Sequence, residues 1–153
     1  MSDASYWERR WTGFRNGNER IIIEWDGGRA EARIFDEGAP ITSKAFFEAL
    51  PLEIPLMHVA WSGDMLMGTR PLDIGVREAE NDVRLPWPGD IGWDPKIGEI
   101  TFTYNLAECK GPTGPNTIVI FGSIDTGLEE FARFARARRY EGVGAVRVSR
   151  SAA

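Results

Sequence analysis

Hydrophobic and polar positions alternate over several short segments of this chain, which is typical of β-strands with one buried face. Residues 21–25 and 30–35 form two such segments, and Asp26-Gly27-Gly28 between them is a strong hairpin signal. The same alternation marks 99–104 and a closing strand at 146–148. These segments predict antiparallel strands joined by tight turns.

The middle of the chain predicts further strands and long loops. Residues 56–62 are interpreted as a third strand, with 65–68 paired to it across a short turn. The nearly continuous apolar run at 117–124 is typical of a central strand. Prolines and glycines recur through 70–98, so this stretch is predicted to form loops with one short strand near Val83.

Two segments have the spacing of amphipathic helices. The first is predicted at 42–50, with Thr42 as its N-cap and Pro51 after its end. The second is predicted at 127–139, where Thr126 and Glu129 match a capping box.

Two helices among seven or eight short strands are best buried by a closed barrel, which also removes exposed strand edges. The predicted fold is therefore mainly β, a closed antiparallel β-barrel of about eight strands with two covering α-helices. We expect an N-terminal extension at 1–18 and a barrel domain at 19–150. The aromatic residues of the extension leave two alternatives open, a mobile segment or one packed by Trp7, Trp11 and Phe14.

Certain residues, in this order, resemble a bacterial domain-of-unknown-function family (family 3830) that carries a cyclophilin-like fold. The resemblance covers roughly 19–149 and lies in Ala39-Pro40-Ile41-Thr42, His58-Val59-Ala60-Trp61-Ser62-Gly63, Glu80-Asn81, Pro88-Gly89-Asp90 and 99–104. It implies a cyclophilin-like barrel with two covering helices. It implies no established reaction.

Cyclophilins themselves isomerise prolyl peptide bonds with an arginine on the strand after the first helix. No arginine occurs here between Ile54 and Arg70. The resemblance therefore disfavours a prolyl isomerase, which ranks third among the functions considered.

Charge and cysteine content narrow the class of protein. The chain has 153 residues, the usual size of one domain, and a net charge of −5, which argues against non-specific binding to nucleic acid. It has no apolar stretch long enough to span a membrane, and its N-terminus lacks the apolar core of a signal peptide. The single cysteine, Cys109, cannot form an internal disulfide, which favours the cytoplasm. One histidine and one cysteine cannot build a usual zinc site, so neither a metal nor a cofactor is expected.

Candidate ligand-binding side chains lie on the third strand, in the 70–98 loops and at the end of 99–104. His58 is the only histidine, and its unperturbed pKa lies near neutrality; the alternative is a half-buried histidine bonded to a neighbouring strand. Glu80 and Asn81 offer a carboxylate and an amide, or simply belong to a solvated loop. The candidates are His58, Trp61, Arg70, Glu80, Asn81, Trp93 and Tyr104.

The leading hypothesis is a small-molecule-binding barrel of unknown activity, with an enzyme acting on a small polar metabolite left open. No catalytic residue is assigned. We expect five of the candidates to converge on one concavity, namely His58, Trp61, Glu80, Asn81 and Tyr104. The rival hypothesis is a non-catalytic interaction module or accessory subunit that forms a homo-oligomer through its N-terminal extension. Neither nucleic acid nor a membrane is expected as a partner.

Overall fold

The computed structural model describes residues 12–152, and β-strands dominate them. The strands are β1 Arg20–Trp25, β2 Gly28–Ile34, β3 Leu52–His58, β4 Gly63–Gly68, β5 Asp82–Val83, β6 Asp90–Asp94, β7 Glu99–Ala107, β8 Lys110–Gly111, β9 Gly114–Pro115, β10 Ile118–Thr126 and β11 Gly144–Arg150. The helices are α1 Pro40–Ala49 and α2 Leu128–Glu141.

Eight of the strands form a closed antiparallel barrel. Their order is β2-β1-β11-β3-β4-β7-β6-β10, and β10 pairs back with β2 to complete the ring. The short strand β5 adds to β10, while β8 and β9 form a separate hairpin. The predicted mainly β, closed barrel of about eight strands with two helices is confirmed.

Both helices pack on the main hydrophobic core. Phe46 of α1 lies 4.9 Å from Phe121 of β10 between ring centroids. Phe131 of α2 packs against Trp25 and Phe102 at 5.6 and 5.7 Å. The helices therefore bury apolar faces against the strands that the sequence predicted.

A second core cluster covers the opposite face of the central strands. Ile118 and Ile120 belong to it, whereas the alternate residues Val119 and Phe121 belong to the main core. Both faces of β10 are thus buried, which explains its continuous apolar run. Cys109 lies in this second cluster, where burial raises the pKa of its thiol to about 12.

The described part of the N-terminal extension is packed onto this second cluster. Phe14 is buried there, and the two terminal guanidinium nitrogens of Arg15 bind the two carboxylate oxygens of Asp90 at 2.9 and 2.6 Å. The guanidinium carbon also lies 3.8 Å from the ring centroid of Trp87. We call Arg15, Trp87 and Asp90 the N-terminal clamp. Trp7 and Trp11 lie outside the described residues.

Both predicted helix caps are wrong. The residue preceding α2 is Gly127, whose φ of +80° makes the turn from β10, and no side chain caps the helix. Thr126 still belongs to β10, so it cannot form a capping box with Glu129. Helix α1 begins at Pro40, before Thr42, and its cap residue Ala39 has no side-chain oxygen.

Two strands differ from the sequence-based expectation. The third strand ends at His58 instead of Ser62, because 59–62 form the connection to β4, and Pro55 lies within the strand, where proline is normally disfavoured. Strand β6 was predicted as loop. Its two aspartates and Gly92 have low β-propensity, yet all five of its residues are buried and it pairs with both β7 and β10.

Candidate functional site

The clearest group of interacting polar side chains lies where β3, β4 and β7 meet the last turn of α2. His58 is the last residue of β3, Asp64 the second of β4, Tyr104 lies on β7 and Arg139 on α2. We call these four residues the His58 cluster. The turn residue Gly63 has φ +91°, and a Cβ there would lie 2.8 Å from the Leu106 carbonyl oxygen. This glycine allows the turn to approach β7 closely.

The hydroxyl of Tyr104 lies at the centre of the cluster. It is 2.8 Å from Nε2 of His58 and 3.2 Å from Oδ1 of Asp64. The ring of Tyr104 is buried, and the rings of Tyr104 and His58 meet edge to face at 5.6 Å. The phenol is thereby held rigidly between an imidazole and a carboxylate.

Hydrogen-bond chemistry decides where the imidazole proton lies. Nδ1 of His58 is 2.8 Å from the carbonyl oxygen of Val59, and a carbonyl can only accept. Nδ1 therefore carries a hydrogen, and Nε2 of the neutral ring accepts from Tyr104. The single hydroxyl hydrogen of Tyr104 cannot serve both His58 and Asp64, so two acceptors compete for one donor.

The surroundings favour the neutral forms of both rings. Burial lowers the pKa of His58 below its ordinary value, and the positive charge of Arg139 lowers it further, while the Val59 carbonyl and Asp64 oppose the shift. Burial also raises the pKa of Tyr104. A neutral imidazole and a protonated phenol are therefore the resting forms at neutral pH.

Charged and polar groups hold the carboxylate in place. Asp64 accepts from Asn105 at 3.1 Å and lies 3.4 Å from Nη2 of Arg139. The guanidinium of Arg136 lies 5.7 Å from the centre of the Tyr104 ring. Side chains of Asp64 and Arg139 remain 27% and 43% exposed, so solvent and small solutes reach the cluster. His58 can act as a base there, and Tyr104 can pass a proton towards Asp64.

Two predicted site residues serve helix α1 instead. The carboxylate of Glu80 accepts the backbone N–H groups of Ile41 and Thr42 at 3.2 and 2.8 Å, supplying the cap that Ala39 lacks. The amide of Asn81 donates to the carbonyl of Gly38. These contacts show what Glu80 and Asn81 bind beside α1, and the expected convergence of both residues with His58 stays a prediction.

The remaining candidates lie in three different environments. Trp93 is buried in the main core, and Arg70 lines a small cavity of about 140 Å³ beside Ile54 and Leu72. Trp61 is 40% exposed in the connection between β3 and β4, next to the cluster in sequence. His58 and Tyr104 are thus the predicted pair that hydrogen bonds bring together.

The candidates predicted from the sequence did not include Asp64, Asn105 or Arg139. Asp64 lies in the turn Gly63-Asp64 that joins the histidine-bearing strand to its partner, a position that usually indicates a turn preference alone. Its proximity to Arg139 depends on how α2 packs, and spacing along the chain contains no such information.

The described residues contain neither a metal-binding group of side chains nor a helix that could span a membrane. Within 12–152, no three histidine, cysteine or carboxylate side chains are grouped so that they could hold a metal ion. In the same part of the chain, no helix is both long and apolar enough to cross a membrane.

The barrel architecture is shared with proteins of known structure. McbB, solved in complex with tryptophan, superposes with a TM-score of 0.69 and 19% identity over 87% of this chain. This chain spans 45% of the McbB chain. The hypothetical protein AF2241 from Archaeoglobus fulgidus superposes with a TM-score of 0.60 and 20% identity, covering 92% of this chain and all of AF2241. At these identities the likeness concerns the fold alone.

The chain belongs to the family described as "Protein of unknown function (DUF3830)", whose model matches residues 21–150. This confirms the resemblance noted from the sequence. No curated protein matches the chain.

Proposed function

We propose that this barrel binds a small polar molecule at the His58 cluster and exchanges a proton with it. One observation supports this most strongly: the Tyr104 hydroxyl is shared by two acceptors, His58 and Asp64. A ligand that donates a hydrogen bond to either acceptor relieves that competition. A fully paired structural network would have nothing to gain from such a ligand.

The protonation state of the cluster suits a base. Neutral His58 has a lone pair at Nε2, and the exposed edges of Asp64 and Arg139 offer one acceptor and one donor to a ligand. McbB, which is similar in fold over 45% of its chain, has been solved in complex with a small molecule, tryptophan. The assignment to the cyclophilin-like fold and to the cytoplasm belongs to the same proposal.

A screen of small polar metabolites by thermal unfolding tests the proposal. A ligand that binds only the folded state must raise the melting temperature, by an amount that grows with its concentration. The matched control is Asp64→Ala, which removes one of the two competing acceptors and leaves the Tyr104 hydroxyl to His58. We expect compounds that stabilise the natural protein to lose their effect on this variant. Compounds that stabilise both equally would bind elsewhere and contradict the proposed site.

Exposed apolar side chains beside the cluster favour a second candidate, the interaction module. Met57, Trp61 and Leu106 are 37%, 40% and 76% exposed, and all three lie on or beside β3, β4 and β7. Such residues are enriched at protein interfaces. Light scattering of the natural protein and of Leu106→Ser distinguishes this role, because an interface would show an oligomer that the variant dissociates.

Prolyl isomerisation remains the third candidate. Arg70 follows β4 and lines a cavity of only about 140 Å³, and no other arginine lies between Ile54 and Arg70. We expect no acceleration of prolyl cis–trans exchange in a peptide assay. Activity that is lost in Arg70→Ala would overturn this expectation.

A further inference from the structure

A polar cavity away from the His58 cluster opens between the loop before β5, the turn after β6 and the segment before β10. Its volume is about 430 Å³, the size of a small metabolite. The polar side chains that line it are Arg77, Asp82, Arg84, Lys96, Asn116 and Thr117. No residue of the His58 cluster contributes to it.

Hydrogen-bond donors outnumber acceptors around this cavity. Within the described residues Arg77 is exposed and has no carboxylate partner, so all its N–H groups are free. Arg84 pairs with Glu108 through one nitrogen, which leaves its other nitrogens available. Lys96 binds Asp94 and the carbonyl of Thr117, and its third hydrogen has no acceptor in the part of the chain that the structure describes.

The acceptors near the cavity are largely occupied. Asp82 accepts from the hydroxyl of Thr117 at 2.6 Å through Oδ2. Asp94 is buried and accepts from Asn116 at 2.9 Å and from Lys96 at 3.0 Å. These bonds fix the positions of Lys96, Asn116 and Thr117, and they leave the N–H groups of Arg77 without a competing acceptor among the described residues.

We infer that this cavity binds a small oxyanion, a phosphate or a dicarboxylate, with Arg77 and Lys96 as its main contacts. Guanidinium and ammonium groups form short, charge-assisted hydrogen bonds with both ligand types. The net charge of −5 repels anions at long range, so the binding must come from this local concentration of donors.

Titration of the full-length protein with inorganic phosphate, and separately with malonate, tests the inference. Backbone amide resonances are followed by NMR at constant ionic strength, with chloride as the reference salt. We expect saturable shifts confined to residues 77–84, 96, 116 and 117. A saturable shift with phosphate alone, with malonate alone or with both identifies the class of anion that binds. No saturable shift with either, or equal shifts with chloride, would overturn the inference.

Three variants test which residues bind the anion. Arg77→Ala, at an exposed residue without partners, should weaken the anion about tenfold, as expected for a lost charge-assisted bond. Asp82→Asn should strengthen it by removing a negative charge. Arg139→Ala, in the His58 cluster, should leave it unchanged. Unaltered affinity in Arg77→Ala would contradict the inference. The proposed function does not depend on this outcome, because its thermal-unfolding test concerns the His58 cluster alone.

Discussion

The N-terminal clamp and the His58 cluster both join a charged pair to an aromatic ring, but they differ in how fully their partners are used. In the clamp both oxygens of Asp90 bind Arg15, and one also accepts from the backbone of Trp87 at 2.7 Å. Asp90 has no exposed side-chain surface. In the His58 cluster Asp64 and Arg139 are partly exposed, and one hydroxyl serves two acceptors.

This difference separates structural from functional polar groups. A buried and paired carboxylate stabilises one conformation and has no remaining capacity for a ligand. A partly exposed cluster with competing acceptors contributes little to stability and keeps its capacity to bind. The clamp therefore attaches the N-terminal segment to β6, and the cluster is where we expect chemistry.

The largest expected effect comes from breaking the clamp. Arg15→Ala leaves Asp90 buried without its cation, which should cost about 3–5 kcal/mol of unfolding free energy in denaturant titration. The matched control is Arg29→Ala, at an exposed pair with Glu31, which should cost less than about 1 kcal/mol. Similar losses of unfolding free energy in both variants would mean that the clamp stabilises the fold no more than a surface ion pair does.

Substitution of Glu80 tests whether this predicted site residue has a structural role. Glu80→Ala removes the cap of α1 and should cost about 1 kcal/mol, because two backbone N–H groups lose their acceptor. Glu80→Gln keeps an acceptor oxygen and should recover part of the loss. Full stability in Glu80→Ala, measured by the same titration, would place Glu80 among the ligand-binding residues again.

Tyr104→Phe should have a smaller effect on stability. The variant loses one shared hydroxyl in a buried ring, which should cost about 0.5–1.5 kcal/mol. A loss as large as that of Arg15→Ala would show that the His58 cluster is a structural network like the clamp.

The smallest effect is a pair of opposite pKa changes at His58, measured by NMR titration of the only histidine. Arg139→Gln removes a positive charge and should raise the pKa of His58, whereas Asp64→Asn removes a negative charge and should lower it. Shifts in the same direction would contradict the arrangement.

The lowered pKa of His58 also sets a pH dependence of stability. Because the unfolded chain binds this proton more readily, stability is complete above about pH 6.5 and falls as the pH drops through the folded pKa. His58→Gln should show a shallower loss over that window in acid titration of unfolding. An identical acid dependence in both proteins would mean that the histidine is not desolvated.

The barrel could be predicted from the sequence because its signals are local. The β1–β2 hairpin follows from the alternation around Asp26-Gly27-Gly28, and β10 from its continuous apolar run. Strand β6 could not be predicted, since the burial of Asp90 depends on Arg15, 75 positions earlier. No local pattern indicates an ion pair over that distance.

Local features of the sequence identified two of the four residues of the His58 cluster as candidates. His58 was identified by its chemistry, and Tyr104 by its place at the end of an alternating strand. The role of Glu80 could not be predicted, because the side chain that caps α1 lies 38 positions from Thr42. The local sequence pattern predicted Thr42 itself as the N-cap. Asp64 gained its importance through the pairing of β4 with β7 and the packing of α2.

The most direct test of the central claim is the NMR resonance of His58 Nε2 as a stabilising metabolite is added. We expect a saturable shift of this nitrogen in the natural protein, with the same midpoint as the thermal stabilisation, and no shift in Asp64→Ala, where the Tyr104 hydroxyl serves His58 alone. A metabolite that stabilises the fold while the His58 resonance stays unchanged would contradict it.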